Sequence, residues 1–235
     1  MQGSVPMNVH IRGVSDVDLL EIHRVYLTYS IVGPAANTYT PLPANVSVIE
    51  EVISMRNLTE YELQKHFWGA FIDTKNAKSI QISEGSFRRK VDVVPSHWFD
   101  SDDYQRYNRE VYRGVSIVNK FTKESSENFP FLFRHHIEEK SLTTNGGAKM
   151  AIRLCKNIKS DQDEDNALSS YDIASVIFHC PAAYIINHAG RELSVLAGTQ
   201  RWFQELSQNR DLTEELITPD GTRKIIDDTR KWYGL

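Results

Sequence analysis

The sequence predicts an α+β fold, with a mixed β-sheet and flanking helices in the first part of the chain and a helical lobe after it. Three observations carry this. Candidate strands, rich in β-branched and aromatic residues, all fall between Val14 and Val118. From Asn128 onward apolar residues recur at helical spacing. The 235 residues are 40% hydrophobic and 25% charged, enough to bury a substantial core. The expected division is 1–125 for the sheet-bearing lobe and 126–235 for the helical lobe, with a cleft between the two.

Taken in order, Val14 to Tyr29 reads as a long extended segment, with Val17, Leu19, Leu20, Ile22, Val25 and Tyr26 and few breakers. Ile31 to Pro43 contains Gly33, Pro34, Pro41 and Pro43 and reads as loop. Val46 to Phe71 has helical spacing through Ile49, Val52, Ile53, Leu58, Leu63 and Phe67. Asn57 is expected to interrupt it, with Thr59 as a second N-cap and Glu62 closing a capping box. Short strands are predicted at Ser79–Ser83, at Lys90–Val94 with Pro95 ending the strand, and at Val115–Val118. Helices are predicted at Asn128–Lys140, Gly146–Lys159, Ser170–His179, Arg191–Ser207 and Thr222–Tyr233, with Ser160–Ser169 as an acidic solvated connection.

A formal charge of −4 argues against a protein that coats nucleic acid, although net charge leaves room for a local basic patch, and the sequence gives no strong evidence for a nucleic-acid partner. Cys155 and Cys180 sit in no paired ligand spacing, which suits two free thiols in a reducing compartment. Neither a signal peptide nor a membrane-length apolar run is present, so the expectation is a cytoplasmic protein without membrane contact.

The chemistry lies in the acids. In Asp16-Val17-Asp18 the carboxylates stand two residues apart in an extended segment, so they share one face while Val17 and Leu19 take the other. Neighbouring carboxylates repel unless a cation lies between them, and Mg²⁺ suits such oxygen ligands. Lys90-Val91-Asp92-Val93-Val94 places a third acid among β-branched residues. Paired beside the first strand, Asp92 would complete a three-carboxylate site for two Mg²⁺ ions, with Mn²⁺ a possible substitute. Gly3-Ser4 offers a turn whose backbone amides and hydroxyl suit phosphate oxygens. Each piece alone is common, Asp-x-Asp as a solvated turn and Gly-Ser as plain loop; their order along the chain carries the reading.

That order resembles the DNA polymerase β-like nucleotidyltransferases, and more narrowly their cGAS/DncV-like branch. GSVPMNVHIRGVSDVDLL is similar to the family's Gly-Ser and Asp-x-Asp block, and KVDVVPS to the strand bearing its third acid. MAIRLCKNIKS looks like the spine helix, SSYDIASVIFHC like the helix after it, and ITPDGTRKIID like the closing segment. The resemblance implies a nucleotidyltransferase palm followed by the helical lobe. Asp16, Asp18 and Asp92 would be metal-binding and catalytic, and Gly3, Ser4, Lys156 and Ser170 would bind the triphosphate of NTP substrates. Tyr171 would stack on the donor base. It implies a cyclic oligonucleotide product used in bacterial antiviral defence, with an effector or regulatory protein as a possible partner.

Other expectations from the same residues are an RNA or protein hydroxyl as acceptor, or nucleotide binding without turnover. Two departures stand out. Asn8-Val9 occupies the place where the family usually has Gly-Thr, and only Met1 and Gln2 precede Gly3 where the family has a helix. The second departure leads to the expectation that the chain is a fragment, that its start is misassigned, or that another molecule covers that surface.

Overall fold

In a computed structural model, residues 3–11, 16–162 and 166–234 are described. Met1, Gln2 and part of the acidic 160–169 connection therefore lie outside the described residues. The chain divides into two compact units, Met1–Gly3 with Ser15–Leu132 and Ser4–Val14 with Phe133–Leu235. The boundary falls at Leu132 rather than 125, because strand β6 (Ser125–Asn128) still belongs to the sheet, and residues 4–14 join the helical unit.

The first unit is built on β4 (Val91–Asp100). It pairs in parallel with β1 (Val17–Tyr29), and antiparallel with β3 (Ile80–Ser83) and β5 (Arg113–Val118). Strand β2 (Phe71–Asp73) lies beyond β3 and β6 beyond β5. Pro95 does not end the strand. It falls between Val93, where β3 stops pairing, and Ser96, where β5 begins, so its missing N–H interrupts neither ladder. Val91 and Val93 pack with Ile80, Ile82 and Leu63 on one face, whereas Val94 packs with Leu20, Ile22, Val115 and Phe131 on the other.

Helix α1 (Val48–His66) runs without the expected break at Asn57. Its cap is Ser47, which accepts from the Glu50 amide, while the Thr59 hydroxyl donates to Glu21 Oε1 at 2.5 Å instead of capping a second helix. Arg56 of α1, 2% exposed, gathers the turn leading into β3. It donates to the carbonyls of Asn76 at 2.6 Å, of Ala77 and Ser79 at 2.9 Å each, and to Glu60 at 2.8 Å. A short helix α2 (Asp102–Tyr107) follows β4.

The second unit is helical: α3 (Pro130–Thr143), α4 (Gly147–Asp161), α5 (Ser170–His179), α6 (Ala182–Ile185), α7 (Leu193–Gln208), α8 (Arg210–Glu214) and α9 (Thr229–Trp232). Ile137, Ile152, Ile177, Ile185, Leu206 and Ile225 are fully buried in one core, and Met7 and Val9 join it. The helix expected at Thr222–Tyr233 is confined to α9. Ile217 bridges Lys224 across a turn in which Asp220 binds Thr218 and Thr222, and such local side-chain bonds compete with a helix there. Among the described residues no helix is long and apolar enough to cross a membrane.

Candidate active site

The parallel pairing of β1 and β4 sets Asp18 opposite Asp92, and the antiparallel pairing of β3 sets Gln81 opposite Asp92 on its other side. Asp18, Asp92 and Gln81 thus form one transverse row across three adjacent strands. Side chains alternate along each strand, so the row faces the side carrying Leu20, Ile22 and Val94. Gln81 Nε2 donates to Asp92 Oδ1 at 3.3 Å. Asp16 lies one residue before β1 and is exposed, not within a strand as expected. Burial pushes the Asp92 carboxyl upward and the Gln81 hydrogen bond pulls against it. The nearby Asp16 charge adds to the rise, while Lys90 and Ser79 offset part of it.

Gly3 closes on this row. Its φ is +76°, and a Cβ there would meet Asp18 Oδ2 at 1.9 Å. Only glycine permits both the left-handed backbone and so close an approach. The turn continues through Ser4, whose carbonyl accepts from the Val9 amide at 3.0 Å.

Three acids expected as one metal set are present as a register pair, Asp18 and Asp92, with Asp16 within electrostatic reach of Asp92. Among the described residues no three His, Cys, Asp or Glu side chains are grouped closely enough to hold an ion. The donor chemistry nevertheless fits Mg²⁺, which is commonly held by one or two carboxylates completed by phosphate oxygens and water.

The remaining expected residues belong to the second unit. Lys156 is buried at 5% exposure, and its Nζ donates to the Val9 carbonyl at 3.0 Å, which is not the placement of a solvated helix lysine. Ser169 caps α5 in a capping box with Asp172, so Ser170 stands exposed in the first turn with its hydroxyl outside the cap. Backbone N–H groups at such a helix start suit an anion. The Tyr171 ring stacks on Phe133 with centroids 4.1 Å apart, and its hydroxyl donates to Asp220 Oδ2 at 2.7 Å. Arg223 binds Asp172 Oδ1 at 2.5 Å, so the 218–223 turn is tied to the start of α5 at two adjacent residues. His135 and His136 both approach Glu139 and form no metal pair, while Trp98 packs on Phe131 and Phe99 on Phe129. A cavity of about 460 Å³ lined by Cys155, Ile158, Leu196 and Phe203 contains none of these residues.

A sheet whose central parallel pair carries facing acids, joined to an all-helical unit, defines a nucleotidyltransferase fold. The chain belongs to the cGAS/DncV-like nucleotidyltransferase family: residues 135–234 match the model of that family's C-terminal helical domain. Over 230 residues, 97% of this chain, it is 42% identical to the cyclic dinucleotide synthase CdnE of Yersinia aleksiciae, and it spans 60% of that relative's length. The solved structure of a STING-associated CdnE c-di-GMP synthase from Capnocytophaga granulosa aligns at TM-score 0.75 and 28% identity, over 99% of this chain and 67% of that one. A STING-associated CdnE c-di-GMP synthase from Flavobacteriaceae sp. aligns at TM-score 0.81 and 22% identity, over 99% of this chain and 70% of that one, and shows the fold.

Gln81 carries no signal at the level of sequence, because a glutamine in a short strand belongs to no motif. Only the pairing of β3 with β4 reveals it.

Proposed function

We propose that this chain joins nucleoside triphosphates into a cyclic oligonucleotide, most simply a cyclic dinucleotide. The observation that carries the reading is the row that sets Asp18 against Asp92, with Asp16 at its edge and Gly3 packed on Asp18. The names of the relatives support it, since they are cyclic dinucleotide and c-di-GMP synthases. In this reading Asp16, Asp18 and Asp92 hold the metal, and Asp92 also takes the proton of the acceptor hydroxyl. That oxygen forms a bond to the α-phosphorus of the donor as the bond to pyrophosphate breaks. Mg²⁺ or Mn²⁺ held by these carboxylates would acidify the hydroxyl and neutralise charge on the leaving group. Gly3 and Ser4, Lys156, and Ser170 at the start of α5 bind the triphosphate, and Tyr171 contacts the donor base. The product serves as a signal in bacterial defence, read by an effector protein. The 28% identical STING-associated CdnE c-di-GMP synthase from Capnocytophaga granulosa supports that part.

Incubation with all four labelled NTPs and Mg²⁺ or Mn²⁺, followed by mass spectrometry, tests the reading. The expected product is a phosphatase-resistant cyclic nucleotide, with pyrophosphate released. Replacing Asp92 by Ala is expected to lower turnover at least about a thousandfold, or roughly 4 kcal/mol of transition-state stabilisation. Turnover within about tenfold of the parent would show that another group takes the proton. Extension of an RNA end or labelling of a protein hydroxyl would replace the cyclic product with a different acceptor class.

A further inference from the structure

We propose that Gln81 is a positioning residue for Asp92, fixing the orientation of its carboxylate; this rests on the reaction proposed above. Gln81 stands directly across from Asp92 in the antiparallel β3–β4 pair, and Ile80 and Ile82 on either side of it are buried in the opposite face. Strand alternation therefore commits the Gln81 side chain to the face that carries the acids. Its Nε2 reaches Asp92 Oδ1 at 3.3 Å. An aspartate has two oxygens, and a donor fixed on Oδ1 turns the other toward whatever the row binds. An amide is suited to this work: it donates to a carboxylate without adding a charge that would compete for it.

Gln81 is itself held from behind. The turn feeding β3 is clamped by Arg56 through the carbonyls of Asn76, Ala77 and Ser79, and by Lys120, whose amide donates to the Ala77 carbonyl and whose ammonium reaches Glu60 at 3.2 Å. The strand start cannot drift without breaking several buried bonds. A side chain that merely filled space at this point would have no use for so firm a base.

Gln81→Met keeps length and removes the donor, whereas Gln81→Glu keeps shape and sets a second carboxylate beside Asp92. For Gln81→Met, kcat is expected to fall about tenfold with nucleotide KM within about twofold and the melting temperature unchanged. For Gln81→Glu the fall is expected to be larger, since like charges are brought together. Crystal structures of the parent and Gln81→Met supply a readout independent of turnover, in which the Asp92 carboxylate is expected to rotate away from its parent orientation. Parental kcat in Gln81→Met, or an Asp92 that keeps its orientation, overturns the proposal. A fall in kcat matched by a loss of thermal stability overturns it as well, by making Gln81 structural. If the parent itself forms no nucleotide product, the function proposed above fails instead, and the rotation of Asp92 still reports on Gln81.

Discussion

Gly3 and Gly146 separate two costs that a substitution can combine. Both adopt left-handed backbone, at φ +76° and +84°, but a Cβ at Gly3 would collide with Asp18 whereas one at Gly146 meets nothing within 4 Å. Gly146→Ala should therefore cost only backbone strain, about 1–2 kcal/mol, and leave turnover unchanged. Gly3→Ala carries the same strain and must also displace Asp18. Its turnover is expected to fall at least about a hundredfold, well beyond any loss its melting temperature explains. Steady-state rates beside thermal melts on the two variants check this, and equal rates would detach Gly3 from the acids. Residue by residue, the sequence was readable where one period governs the side chain. Asp18 shares a face with Leu20 and Ile22, and Asp92 one with Val94, because side chains alternate along each strand; that the two acids share one face follows from the β1–β4 register, which no period within either strand supplies. Ser169 caps because its hydroxyl competes for helix amides. Lys156 was not readable in this way: its burial depends on Val9, which is remote in sequence.

At the scale of elements, Arg56 shows how an α-helix can fix a strand it does not pair with. Arg56→Met would leave the Asn76, Ala77 and Ser79 carbonyls without their donor and Glu60 without one of its cations. A loss of about 3 kcal/mol is expected, toward the upper range for breaking a buried charged network. Denaturant titration measures it, and hydrogen exchange should locate the loosening at residues 74–83. Uniform exchange across the sheet would mean the clamp is not local. Tertiary contacts explain two boundaries that differ from the sequence expectation. Thr59 looks like a cap in sequence, but the free energy is better served by its bond to Glu21 on β1. Pro95 looks like a terminator, but tertiary pairing leaves a gap where it fits. Strands β2 and β6 escaped notice because three residues and the polar run Ser125–Asn128 give no periodic signal; their neighbours in the sheet define them.

Across the whole molecule, the two units should respond differently to acid. In the first, His97 is 1% exposed, and burial, with the neighbouring His23 adding to it, lowers its pKa from 6.5 to about 4. Its Nε2 lies 3.0 Å from the Thr28 hydroxyl. The folded unit thus holds the ring neutral while the unfolded chain binds a proton below pH 6.5. Stability from this group is complete above that pH and is lost as pH falls from 6.5 to about 4, an effect of about 3 kcal/mol. In the second unit burial would raise the Asp172 carboxyl, but hydrogen bonds from Ser169 and Arg223 together with the Arg223 charge outweigh it and hold it below the ordinary 3.8. That contribution persists until pH falls below the usual carboxylate range. Exchange measured at pH 7, 5 and 4 is expected to show the strands around His97 loosening first, with the raised Glu21 and Asp92 carboxyls working the other way in the same unit, and His97→Gln should remove that loosening over the window. Simultaneous loosening of both units would contradict this ordering.

Strand β1 carries Arg24, Val25 and Tyr26 as surplus between His23, opposite His97, and Leu27, opposite Trp98. His23 stacks on Tyr26 across the gap, and Val25 is 73% exposed. This slack lies downstream of the acids, so it isolates them from changes in length. A residue gained or lost in 24–26 alters only a bulge already out of register, and relatives can diverge there at little cost. A residue gained or lost between Val17 and Ile22 shifts the register by one, so that Asp18 and the packed Leu20 and Ile22 no longer share the face that carries Asp92 and Val94. Heritable variation in length is thus permitted at one end of the strand and forbidden at the other.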